Sequence, residues 1–305
     1  MRFLVLGAGS LGSYFGAMLL EGGADVTFLV RGRRAAQLAA DGLIVRPFTG
    51  EIRRPARAVL AADGTYDVVL LSCKSYDLGG AMEAIAPAIG AGTAILPVLN
   101  GMDHIAALTE RFGPAAVLGG VGAVAAALTA DGVVTRLPGP PGGISFGELD
   151  ATASPRCSAI NEAFTKGGVE SAVSPNIIGE MWVKLFAFTA IAVVATLTRS
   201  LAGAVAAAAS GARLVDASIA ECAAIVAAEG HSPPAGLQQA IRRAFADPAS
   251  KYAPSILRDF EAARPTEADA TIGLMLRRAT AHGLPAPLLT AALCNLEIHA
   301  PSVQP

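Results

Sequence analysis

Short apolar, β-branched runs alternate with helical spacing through the first half of the chain. The runs are Phe3 to Leu6, Val26 to Val30, Val68 to Ser72, Ala94 to Leu99 and Val117 to Gly119. Runs with so few polar interruptions suit strands buried on both faces, and their alternation with helices predicts a parallel sheet with covering helices. Residues 43–60 depart from the pattern, and I-V-R-P-F-T-G-E-I-R-R-P predicts a polar hairpin or an irregular insertion. Val133 to Leu137 and Ile144 to Leu149, separated by L-P-G-P-P-G-G, predict two antiparallel edge strands closing the sheet.

Beyond Asp150 the strand signal fades, and from about Ile177 apolar residues recur at i, i+3 and i+4. Helix starts are expected at Pro175-Asn176, Pro233-Pro234, Pro254-Ser255 and Pro265-Thr266, and stops at Gly230 and Gly283. The alanine-rich stretch Ala202 to Ala212 reads as one tightly packed helix. The fold class expected is α/β, with a sheet domain over residues 1–174 and an all-helical C-terminal domain over 175–305.

Composition narrows the partners. Hydrophobic residues make up 53% and charged ones 16% of 305, which excludes disorder and leaves enough chain for two packed cores. A net charge of −2 with dispersed basic residues gives no footprint for nucleic acid or an anionic membrane, so a small-molecule partner is expected. Cys73, Cys157, Cys222 and Cys294 have neither metal nor redox spacing and suit a reducing cytoplasm. Ala84 to Met102 and Phe112 to Ala130 are uncharged over spanning lengths, but glycine and proline break both, so strand, turn and helix pieces are expected. The start of the chain lacks the features of a signal peptide, and a cytoplasmic protein is expected. His104, His231, His282 and His299 lack metal-ligand spacing, and no G-x-S-x-G is present, so neither a metal site nor a serine triad is expected.

Chemistry concentrates at a few positions. Gly7-Ala8-Gly9-Ser10-Leu11-Gly12 follows an apolar run directly and opens into a helical pattern. In that context Gly7 permits a tight turn, Gly9 lets backbone N–H groups approach a pyrophosphate and Gly12 lets helix and strand pack closely. An NAD-preferring site usually carries an acid about 20 residues on, at the end of the second strand. That place holds Arg31, which with Arg33 and Arg34 offers guanidinium groups to a 2′-phosphate, so NADP(H) is the expected cofactor. Lys74 and Asn100 lie just past the carboxyl ends of strand runs, the edge where open α/β sheets bind ligands.

In the helical half, Lys184 stands in the apolar E-M-W-V-K-L segment. It reads either as an i, i+4 surface pair with Glu180 or as a proton donor in a cleft. Thr266, Glu267 and Asp269 read as a helix cap, its first-turn charge and its capping-box partner, and Ser255 as another cap.

Together these residues resemble the 2-dehydropantoate 2-reductase (ketopantoate reductase) family: G-A-G-S-L-G, Arg31, C-K-S at Lys74, L-N-G at Asn100 and W-x-K at Lys184. The likeness continues through P-S-I-L-R-D at Ser255, P-T-E-A-D at Glu267 and R-R-A-x-A-H-G, and so covers nearly the whole chain. It implies a Rossmann-type doubly wound N-terminal domain binding NADP(H), a helical substrate domain, a cleft where cofactor and 2-oxo acid meet, and a place in pantothenate biosynthesis. By that resemblance Lys184 is the general acid, Asn100, Lys74 and Glu267 position cofactor and substrate, and Ser255 binds the substrate carboxylate. A homodimer is kept open as the assembly.

Three positions depart from the family pattern. Asparagines four and eight residues after the lysine are replaced by Phe188 and Ala192, and an asparagine before the glycine after T-E-x-D by Ile272. A more apolar substrate than ketopantoate is therefore expected, with Phe188 and Ala192 lining its pocket. The competing class is a catalytically silent NADP-binding sensor with the same fold, against which the retained Lys184 and Glu267 argue. An S-adenosylmethionine-dependent methyltransferase fits less well, because it would favour an acid where Arg31 stands.

Overall fold

The run F-L-V-L forms β1 (Arg2–Leu6), buried at every position but the first. It is followed by α1 (Ser10–Glu21), β2 (Asp25–Leu29), α2 (Gly32–Asp41), β3 (Leu43–Arg46), β4 (Ile52–Arg54), β5 (Arg57–Val59), β6 (Val68–Leu71), α3 (Leu78–Ile85), β7 (Ala94–Pro97), α4 (Asp103–Phe112), β8 (Leu118–Leu128), β9 (Val133–Glu148), α5 (Pro155–Lys166) and β10 (Ser171–Val173). The helical half contains α6 (Ile177–Thr198), α7 (Ala202–Ala207), α8 (Gly211–Ala228), α9 (Ala235–Ala244), α10 (Ser255–Glu261), α11 (Leu274–Ala281) and α12 (Pro287–Ile298). The computed structural model describes residues 1–299. One unit comprises Met1–Leu99 with His104–Ile178, and the other comprises Asn100–Asp103 with Gly179 onward.

In the first unit a fully parallel sheet runs in the order β5-β2-β1-β6-β7. Leu4 of the central strand lies between Thr27 and Val69. Alternate residues of β1 feed opposite cores: Phe3 and Val5 join Phe15, Phe28 and Phe164 on one face, while Leu4 and Leu6 join Val69, Ile85 and Leu108 on the other. Burial on both faces is why these strands read as unbroken apolar runs.

The expected edge strands are corrected by the structure. Val133–Glu148 is one strand that carries the proline and glycine cluster within it, antiparallel to β8. Because β8 is long enough to partner both halves, the ladder resumes after register shifts between Ala123 and Ala126. These strands belong to a second sheet, β10-β9-β3-β4, with β8 also on β9. Val117 to Gly119 therefore mostly leaves the parallel sheet, and only Val117 bridges to Ile95. Residues 43–54 form the expected hairpin, β3 antiparallel to β4. Arg57–Val59, too short to give a pattern, adds an unforeseen parallel edge strand beside β2.

The second unit packs around α6. The Ser218 hydroxyl from α8 donates to the Ala190 carbonyl at 2.9 Å, and Asn295 from α12 donates to the Thr196 carbonyl at 2.8 Å. The alanine-rich tract is two helices, not one. A Cβ on Gly211 would overlap the Val205 carbonyl, so the chain turns after α7 and glycine admits the close approach. Glu221 caps α12 from a distance, accepting from the Leu288 and Leu289 amides at 3.1 and 2.8 Å. Among the described residues α6 is the one helix long and apolar enough to cross a membrane, and most of it is buried inside the protein. The two uncharged stretches examined in the sequence are strand, turn and helix pieces.

Candidate functional site

At the carboxyl end of β1 the chain turns through Gly7, whose φ of +89° lies in the left-handed region that glycine favours. A Cβ on Gly12 would overlap the Gly7 carbonyl oxygen, so glycine alone lets the first turn of α1 sit against the strand end. Gly9 is different: a Cβ there would meet nothing within 4 Å. It is also the N-cap of α1, with no side-chain cap on the amides that follow. Open space above uncapped amides at a helix N-terminus fits the pyrophosphate of a dinucleotide. Ser72, which the sequence did not single out, and Arg34, expected at a 2′-phosphate, hold this turn. The Ser72 hydroxyl donates to the Leu6 carbonyl at 2.9 Å, and the Arg34 guanidinium donates to the carbonyls of Ala8 and Gly132, each at 3.0 Å.

The basic cluster thus divides by task. Arg34 is half-buried with its donors turned into the protein, and is an internal brace. Arg33 is exposed, and Arg31, the N-cap of α2, keeps a side chain 87% exposed while pairing with Asp77 at 3.1 Å. Lys74 is half-buried at the start of a single 3-10 turn, Ser75–Asp77, beyond β6.

In the second unit, three residues far apart in sequence come together. Asn100 follows β7 by three positions, yet the loop Asn100–Asp103 belongs with the helices. The Asn100 amide donates to Glu267 Oε2 at 3.2 Å. Gly101, at φ +89°, lies so close to the Ala270 carbonyl that a Cβ would overlap it. Arg277 bridges the two segments, 2.9 Å from Asp103 and 2.6 Å from Asp269. Glu267 itself is 7% exposed, and its charge acts on Lys184. Burial lowers the Lys184 pKa from 10.5 to about 8, against the opposing pull of the Glu267 carboxylate.

Lys184 belongs to the half-exposed stripe of α6 that also carries Glu180, Phe188 and Ile191. The carboxylate acting on it is Glu267 rather than Glu180, so the surface-pair reading fails. Ala192, expected with Phe188 to line the substrate pocket, is fully buried. Ile272 is likewise fully buried, within a π-helical turn, Asp269–Gly273. The capping-box reading is also corrected. The helix begins at Ala268, two residues after Thr266, and Asp269 pairs with Arg277 instead. Ser255 is the first residue of α10, with Pro254 at the cap position. The contacts of Arg277, Ser72 and Arg34 gave no signal in the sequence, although Arg34 and Arg277 stand in motifs read there, because each works through a backbone or ion-pair contact formed only on folding.

Comparison with known proteins agrees with this layout. The family model for ketopantoate reductase PanE/ApbA matches residues 3–151, and the model for its C-terminal part matches residues 176–297. The uncharacterized oxidoreductase YkpB of Bacillus subtilis is 32% identical over 300 residues, covering 98% of this chain and 99% of the relative. A 2-dehydropantoate 2-reductase of Mesorhizobium japonicum is 28% identical, covering 96% of each chain. The crystal structure of a 2-dehydropantoate 2-reductase from Geobacter metallireducens superposes with a TM-score of 0.89 at 28% identity, over 98% of this chain and 99% of that one.

Proposed function

Because the chain belongs to the ketopantoate reductase PanE/ApbA family, we propose that it is an NADPH-dependent reductase that converts a 2-oxo acid to the 2-hydroxy acid, with Lys184 as proton donor. The observation that carries this reading is the partly buried Lys184, whose ammonium pKa burial lowers to about 8 against the raising pull of the Glu267 carboxylate. A donor efficient near neutral pH needs a pKa in that region. NADPH, when bound, supplies the hydride that adds to the carbonyl carbon.

Each remaining step falls to the chain's own residues. The Gly7–Gly12 turn and the amides at the start of α1 hold the pyrophosphate, while Arg31 meets the 2′-phosphate and Lys74 orients the cofactor. Lys184 donates an Nζ proton to the substrate oxygen as the carbonyl is reduced, and the neutral amine regains a proton from solvent. Before transfer its positive charge stabilises the developing alkoxide. Glu267 keeps that ammonium protonated and, with Asn100, fixes its setting. Ser255 is proposed to bind the substrate carboxylate. The cytoplasm supplies the compartment for such an NADPH-linked reaction.

For the substrate, Phe188 lies one helical turn beyond Lys184 on the same stripe. A phenyl ring there cannot pair with the terminal hydroxyl of ketopantoate, and leaving such a group unpaired costs ~1 to 3 kcal/mol when it is buried. We therefore propose a 2-oxo acid with an apolar side chain, which sets the chain apart from a role in pantothenate synthesis. Comparing kcat/KM for ketopantoate, 2-oxoisovalerate and phenylpyruvate tests this. The apolar acids are expected to lead, and Phe188→Asn to shift the ratio toward ketopantoate. A lead for ketopantoate in the unmodified enzyme would contradict it.

A further inference from the structure

Three strand ends meet at one edge of the parallel sheet. The glycine turn leaves β1, Arg31 follows β2, and the turn ending in Asp77 follows β6, with β1 lying between the other two. The Arg31 and Asp77 side chains close over that edge, Nη2 to Oδ1 at 3.1 Å, although both remain open to solvent at 87% and 40% exposure. An exposed pair of this kind opens at little cost. Dinucleotide sites that favour NADH place a carboxylate at the end of the second strand, where it accepts from the ribose 2′-hydroxyl. Here the second strand is followed by a guanidinium, and a carboxylate from the turn after β6, on the far side of β1, pairs with it.

We infer that Asp77 is a cofactor-selecting residue that opposes Arg31. This rests on the reading of the chain as an NADP(H)-linked reductase. Arg31 attracts a 2′-phosphate, while Asp77 competes for the same guanidinium and repels the phosphate by its own charge. A free 2′-hydroxyl meets the reverse: it can donate to Asp77 and has no need of Arg31. The site therefore holds one group for each cofactor. The chain binds NADPH with a preference that Asp77 keeps moderate, and it admits NADH.

Calorimetric titration of the full-length protein with NADPH and with NADH, separately, tests the assignment without turnover. Asp77→Asn is expected to tighten NADPH about three- to tenfold and to leave NADH unchanged or weaker, with the gain shrinking as salt is raised. Asp77→Ser, which removes the charge with a smaller side chain, is expected to act in the same direction. An unchanged ratio of the two dissociation constants in both variants, with NADPH affinity still lost in Arg31→Ala, would overturn the role of Asp77 and leave the functional reading intact. Failure of the unmodified protein to bind either cofactor would overturn that reading, and this inference with it.

Discussion

Asn100 and Glu267, 167 positions apart, meet at 3.2 Å, and the amide donates to a carboxylate whose charge in turn acts on Lys184. A strand-end loop and a helical segment thereby form one unit, with Gly101 against Ala270 and Arg277 tying Asp103 to Asp269.

Removing the Glu267 charge should therefore be felt at Lys184. With burial unopposed, the ammonium pKa in Glu267→Gln drops below about 8. The alkaline limb of kcat/KM for 2-oxo acid reduction, expected near pH 8 in the unmodified enzyme, should move to lower pH. An unmoved limb would show that Glu267 does not hold the proton on Lys184.

Stability gives a second reading of the same group. The folded pKa of Lys184 lies below its ordinary value of 10.5, so in the window from about 8 to 10.5 the unfolded chain binds more protons than the folded one. This group's contribution to stability is fully present above the unfolded value and is lost as pH falls through about 8. At neutral pH the desolvation of the partly buried ammonium is a net cost. Lys184→Met should raise stability at pH 7 by ~1 to 3 kcal/mol, less the methionine's own packing differences. Urea denaturation at pH 7 measures it, and a lower midpoint in the variant would contradict the burial argument.

The two glycines of the cofactor turn should separate cleanly. Gly12→Ala forces a Cβ onto the Gly7 carbonyl and should destabilise the first unit by about 1 to 3 kcal/mol or more. Gly9→Ala meets no protein atom, so the melting temperature should hold while NADPH binding weakens by about tenfold or more. Equal losses of stability in the two variants would mean that the space at Gly9 is not kept for a ligand.

Much of this was legible in the chain. Strands buried on both faces announce themselves as apolar runs, and G-A-G-S-L-G directly after one located the turn at the sheet edge. What failed was whatever depends on a distant partner. The cluster after Leu137 reads as a break because its pairing with β8 is invisible in sequence. By its neighbours alone Glu267 reads as a first-turn helix charge, because its partner Asn100 comes from the first half of the chain. Arg34, one of three similar arginines, is a brace only because Ala8 and Gly132 converge on it.

The most direct test of the account is NADPH oxidation, followed by absorbance with a panel of 2-oxo acids, in the unmodified protein and in Lys184→Ala. The expected result is turnover with at least one apolar 2-oxo acid, reduced in the variant by about 10² to 10⁴ in kcat while NADPH affinity stays within about twofold. No oxidation with any 2-oxo acid, or turnover unchanged by loss of the lysine, would contradict it.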